Sequence, residues 1–193
     1  MFGTAISHTR KRLAMAAAVA CLAGSGLAGL AAAPAQAYGA GEVCMFNAPT
    51  GAELGPWTLG HVGWGYLVGG TSTWVFGATE SPTWAWSASG SWSTMLDAFK
   101  YANHPGYYTQ FNCSTSTNSA VGAANNLVAW YDDIAKSGYG IANNNCLTHA
   151  VAIFQMYDSG TFGGMRDGSF AGPNHYFDGL PGTAHFWLHP SRL

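Results

Sequence analysis

The chain has 193 residues, 48% of them apolar and only 8% charged, with 26 glycines and 8 tryptophans. Three of the seven basic residues, Arg10, Lys11 and Arg12, form one N-terminal cluster, so the rest of the chain sets four basic side chains against nine acidic ones. That balance argues against a nucleic acid partner, and the lack of a phosphate-binding glycine loop or a paired-cysteine ligand motif predicts neither cofactor nor metal.

Residues 1–37 have the layout of a secretory signal peptide: the basic cluster, an apolar run from Leu13 to Ala33, and Ala35-Gln36-Ala37 as a cleavage site. The run is rich in Ala, is broken by Gly24, Ser25, Gly26 and Pro34, and no second run of spanning length follows. The expectation is an extracellular mature protein, residues 38–193, of one domain and without membrane association after cleavage. Its many Trp, Tyr, Gly, Ser and Asn residues suit an extracellular surface that stacks on sugars.

Cys44, Cys113 and Cys146 remain in the mature part, so one disulfide leaves one thiol. Pairing of Cys44 with Cys113 frees Cys146, whereas a disulfide at Cys146 would end any role for it as a nucleophile. In chain order, Trp57 to Val68 and Thr71 to Thr79 read as the arms of a β-hairpin turning at Gly69-Gly70. Ser81 to Ser93 reads as a loop or edge strand, Ser93 as the cap of a short helix through Lys100, and Tyr107 to Ser114 as a strand carrying Cys113. Asn118 or Ser119 is then placed to cap a helix in which Ala120, Ala124, Leu127, Tyr131 and Ile134 recur at helical spacing until Gly138. After the polar run Asn143-Asn144-Asn145, a third helix opens at Cys146 and is apolar nearly all round through Tyr157, the pattern of a buried helix. The tail beyond Gly160 has no clear periodicity.

A thiol at a helix start sits where the dipole favours thiolate. A histidine beside it would supply a base and later an acid, and the helix amides would be available to an oxyanion. His61 is the first candidate, at the head of a glycine-rich strand. His175, in Pro173-Asn174-His175-Tyr176-Phe177-Asp178, is the second. His149, three residues past Cys146, reads as a structural neighbour.

The run His61-Val62-Gly63-Trp64-Gly65-Tyr66-Leu67-Val68-Gly69-Gly70 resembles the histidine strand of the NlpC family of cell-wall cysteine peptidases. The order of histidine before cysteine, and Asn145-Cys146 at a helix start, resemble the circularly permuted members, which include the lecithin retinol acyltransferase-like proteins. The resemblance implies an α+β, papain-like, circularly permuted fold, with an antiparallel sheet packed against a buried helix that starts at the cysteine. It also implies Cys146 as nucleophile, His61 as base and peptidoglycan peptide as substrate. A third polar residue orients the base in that family. Trp74-Val75-Phe76-Gly77 offers none, and Thr79 or Glu80 takes the role if the strand register brings it there.

The expectation is therefore a secreted cysteine hydrolase or acyl-transfer enzyme acting on an amide or ester of the cell envelope. Its alternative is a non-catalytic module that binds wall glycan or protein through an aromatic surface.

Overall fold

The chain builds one antiparallel sheet early and covers it late. The computed structural model describes residues 41–182, 187 and 190–193, all within the compact unit Gln36–Leu193. The signal segment expected at residues 1–37 lies outside them.

Strand β1, Gly41–Ala48, is buried along its whole length. A small hairpin follows, β2 Glu53–Leu54 with β3 Trp57–Thr58, before β4 His61–Leu67, β5 Trp74–Ser81 and β6 Trp84–Gly90. Helix α1, Trp92–Tyr101, leads to β7, Gln110–Ser116, and helices α2, Val121–Asp132, and α3, Ile134–Ser137, precede α4, Cys146–Tyr157. Short α5, Ser159–Phe162, α6, Pro173–Gly179, a 3-10 turn at Leu180–Gly182 and β8, Ser191–Arg192, close the chain. The six-stranded sheet has the order β6-β5-β4-β1-β7-β8, antiparallel throughout.

Both faces of the sheet are covered. Val43, Met45, Val62, Trp64 and Tyr66 pack against α4 and α2, while Cys44, Phe46, Leu67, Trp74 and Phe76 pack against Met95 and Phe99 of α1. A strand buried on both sides shows no polar alternation, and β1 has none, although it is the central partner of β4 and β7. Cys44 and Cys113 face each other in the β1–β7 ladder and form the disulfide. No helix among the described residues is long and apolar enough to cross a membrane.

Several expected boundaries move. The strand expected over residues 57–68 is broken at Gly60, whose φ of 82° turns the chain from the small hairpin into β4. The stretch 84–90 is an edge strand. Helix α1 is capped by Ser91, whose hydroxyl accepts from Thr94 N, rather than by Ser93. Helix α2 starts at Val121 without a side-chain cap, because its N-cap residue is Ala120 and Asn118 Oδ1 accepts from Ser119 N, while the backbone N–H of Asn118 is drawn to the carboxylate of Asp158. That carboxylate also accepts from Ser116, Thr117 and Thr161, tying β7 to the end of α4. Helix α4 begins at Cys146, as the sequence indicates.

Candidate active site

Helix α4 starts where it does because Asn145 and Thr148 form a capping box. Asn145 Oδ1 accepts from Leu147 N at 2.9 Å and Thr148 N at 3.1 Å, and Asn145 N donates to Thr148 Oγ1 at 2.8 Å. Asn145 Nδ2 also reaches back to Ile141 O at 2.7 Å, fixing the entry of the chain. Cys146 is thereby held in the first turn, as the free cysteine of the described residues.

Strand β4 delivers His61 to the same place. The β4–β5 ladder pairs Trp64 with Gly77 and Leu67 with Trp74, and the same register carried three residues further sets His61 opposite Glu80. His61 Nε2 lies 3.0 Å from Glu80 Oε2 with both side chains buried. Glu80 collects further donors: Trp86 Nε1 at 2.8 Å and Tyr108 Oη at 2.9 Å on Oε1, and Asn103 Nδ2 at 2.9 Å on Oε2. Donors alone surround it, which is an environment for a carboxylate and not for its acid. Burial opposes its charge, but the hydrogen bond and charge of His61, with the bonds from Trp86 and Asn103, hold Glu80 below the usual carboxylate range.

The thiol and the imidazole shift each other in opposite directions, each toward its charged form. Burial pushes the Cys146 thiol up, yet the charge and hydrogen bond of His61, the backbone N–H of Val62 and the hydroxyl of Tyr139 together bring it below its ordinary value. Burial lowers His61, and the thiolate and Glu80 more than reverse this, raising it to about 10. Both shifts run toward a thiolate–imidazolium pair backed by a carboxylate.

Sequence reasoning missed Tyr139, which lies in the polar stretch between α3 and α4. Its hydroxyl acts on the backbone N–H and the thiol of Cys146 and helps to bring the thiol below its ordinary value. A tyrosine seven residues ahead of the cysteine, inside an Asn- and Gly-rich turn, is the only signal the chain offers. The expectation that the helix amides would be available to an oxyanion needs correction, because the Leu147 and Thr148 N–H groups are taken by the cap of Asn145. The Cys146 N–H is engaged too, by the Tyr139 oxygen, which leaves the Tyr139 hydroxyl as the donor at the thiol.

His149 is fully buried and stacks on Tyr131 at 3.6 Å. Its Nε2 meets Asn144 Oδ1 at 2.7 Å and its Nδ1 meets Thr79 Oγ1 at 2.9 Å. An amide oxygen only accepts, so Nε2 carries the proton and Nδ1 accepts from the threonine. Burial lowers its pKa to about 4, so it is a neutral structural ring that fixes the first turns of α4 to β5. His175 is exposed on α6 and no hydrogen bond or ion pair among the described residues joins it to Cys146, His61 or Glu80. Its neighbour Asn174 instead clips the approach to His61, bonding through its backbone N–H to Leu59 O at 2.9 Å and through Nδ2 to Pro49 O at 2.9 Å.

Glu42, Cys44 and Cys113 lie close enough together to suggest a metal site, but the two sulfurs are joined to each other and cannot act as thiolate ligands. Comparison with protein-family models, curated proteins and solved structures finds no match to this chain.

Proposed function

We propose that the protein is a secreted cysteine-dependent hydrolase or acyl-transfer enzyme that acts on an amide or ester carbonyl. The observation that carries this reading is the set Cys146, His61 and Glu80, in which the histidine meets the carboxylate at 3.0 Å and its charge and hydrogen bond draw the thiol below its ordinary value. The Cys146 thiolate attacks the carbonyl carbon, and the developing oxyanion is met by the Tyr139 hydroxyl. Imidazolium His61 gives its proton to the leaving amine or alcohol, which leaves a thioester on Cys146. Neutral His61 then takes a proton from water or an acceptor alcohol as that oxygen attacks the thioester, and the thiolate is regenerated. Glu80 stays ionised and stabilises the imidazolium in each half of the cycle.

The resemblance to the permuted papain-like families supports an α+β fold of that type and a peptide of the cell wall as substrate class. The disulfide fits an oxidising compartment, where such bonds persist. A second reading, a binding module for wall glycan or protein, is favoured by the exposed rings of Trp57, Trp84 and Trp130 and by a thiol residue only 3% exposed.

Alkylation of the native protein with iodoacetamide across a pH series, followed by mass spectrometry, separates the two. The enzyme reading expects Cys146 to label at a nearly constant rate from pH 6 to pH 8, where an unperturbed thiol of pKa about 8.5 slows roughly tenfold per unit of acidity. Labelling that falls in that ordinary way, together with unchanged binding to wall material after Cys146→Ala, would establish the binding module instead.

A further inference from the structure

The geometry points to a second ligand site, a pocket for a carboxylate borne on an apolar body, in the segment between α5 and the end of α6. A cavity of about 650 Å³ lies there, walled by Arg166, Phe170, His175 and Tyr176 and floored by Met165 and Leu180. That volume is in the range of small-molecule sites, and its lining combines apolar surface with a few convergent polar groups.

Three features show the wall to be built. Gly168 has φ 82°, and a Cβ there would collide with Leu147, so only glycine lets the segment lie against the first turn of α4. The Tyr176 hydroxyl donates to Arg166 O at 2.6 Å and fixes the backbone from which the guanidinium extends. Phe170 N donates to Ala142 O at 2.7 Å while the residue is held at φ 58° with 84% of its surface exposed. A bulky side chain is seldom found at that backbone angle, and a ring so exposed gains nothing from burial. The bond to Ala142 holds the backbone there, and the exposed ring is left free to meet a ligand.

Arg166 is the charged side chain of the lining, although the carboxylate of Asp167 is close enough to act on Tyr176. Asp167, adjacent in the chain, turns its carboxylate to Ser169 N at 2.9 Å, and the ion pairs among the described residues, His61 with Glu80 and Lys136 with Asp133, leave Arg166 out. A single guanidinium matches a single carboxylate through its two-pronged donor face, and His175 adds one further donor or acceptor. The apolar remainder of the ligand lies against Phe170 and Tyr176. Cys146 is not part of the lining, so this inference does not rest on the thiol's being catalytic.

N-Acetylphenylalanine and its primary amide, titrated separately into the isotopically labelled intact protein, test it by NMR. The acid is expected to shift backbone amides of residues 164–180 in a saturable way, with the amide about tenfold weaker and Arg166→Gln removing the difference. Phe170→Gly is expected to raise Tm, by relieving the backbone, and yet to weaken binding of the acid. Equal affinity for acid and amide, or shifts that spare residues 164–180, would overturn the assignment. So would a Phe170→Gly variant that binds as well as the parent.

Discussion

Glu80 is the residue on which the site's protonation turns. Glutamine keeps its length but has one acceptor oxygen and one amino group. In either orientation the amino group faces donors, Trp86 and Tyr108 on one side or His61 and Asn103 on the other. Glu80→Gln is therefore expected to lower the His61 pKa, raise that of Cys146 and slow turnover and low-pH alkylation by about tenfold to a hundredfold. An unchanged pH profile of alkylation would remove Glu80 from the site. The sign of the wild-type dependence follows from the shifts themselves. Cys146 lies below its ordinary value, so its contribution to the pair is lost as pH falls through that lowered value. His61 lies near 10, so its contribution is complete below its unfolded value of about 6.5 and is lost as pH rises through about 10. Activity is expected to hold across neutral and mildly alkaline pH and to fall near 10. Cys146 and His61 were legible as single residues. Tyr139 was not, because nothing in its neighbours announces that its hydroxyl reaches forward to the helix start.

Glu80 was open to the sequence only on a condition of strand register. A two-residue turn at Gly69-Gly70 pairs Val68 with Thr71 and would set His61 opposite Ala78. The turn instead runs through residues 68–73, closed by Val68 N to Thr73 O at 2.8 Å, and the pairing of Leu67 with Trp74 moves the partner to Glu80. A slip of two residues keeps every side chain on its face, so the apolar pattern is the same in both registers and cannot choose between them. Strand β1 escaped notice for a related reason, since Glu42, Cys44 and Asn47 interrupt a run that is buried on both sides. The start of α4, by contrast, is written locally in Asn145 and Thr148. Asn145→Ala is expected to cost about 1 to 2 kcal/mol in denaturant unfolding and to reduce Cys146 alkylation, because the first turn frays around the thiol. A loss of stability with undiminished alkylation would show that the cap does not position the sulfur.

At the scale of the molecule, the two halves of the site come from segments far apart in sequence, and the tail that could not be placed beforehand is what braces them. Asn174 of α6 holds Leu59 and Pro49 beside His61, while Phe170 holds Ala142 ahead of Cys146. These bonds join loop atoms that carry no periodic signal, which is why residues beyond Gly160 were unreadable as sequence. The disulfide spans 69 residues, a loop for which chain entropy sets a contribution of about 4 kcal/mol. The paired change Cys44→Ala and Cys113→Ala is expected to lower stability by roughly half to all of that figure while Cys146 alkylation in the folded state persists. A loss of labelling without unfolding would tie the bond to the site itself.

The two kinds of sulfur also stand on opposite sides of the sheet, Cys146 with the α4 core and the disulfide with the α1 core. Thiol–disulfide exchange requires a thiolate to reach a bonded sulfur and form a mixed disulfide with it. Here the sheet backbone lies between the cluster that holds Cys146 and the cluster that holds the disulfide, which keeps the free thiol apart from the bonded sulfurs. The sheet acts as an insulator as well as a scaffold, and the reactive sulfur stays committed to whatever comes to it from outside.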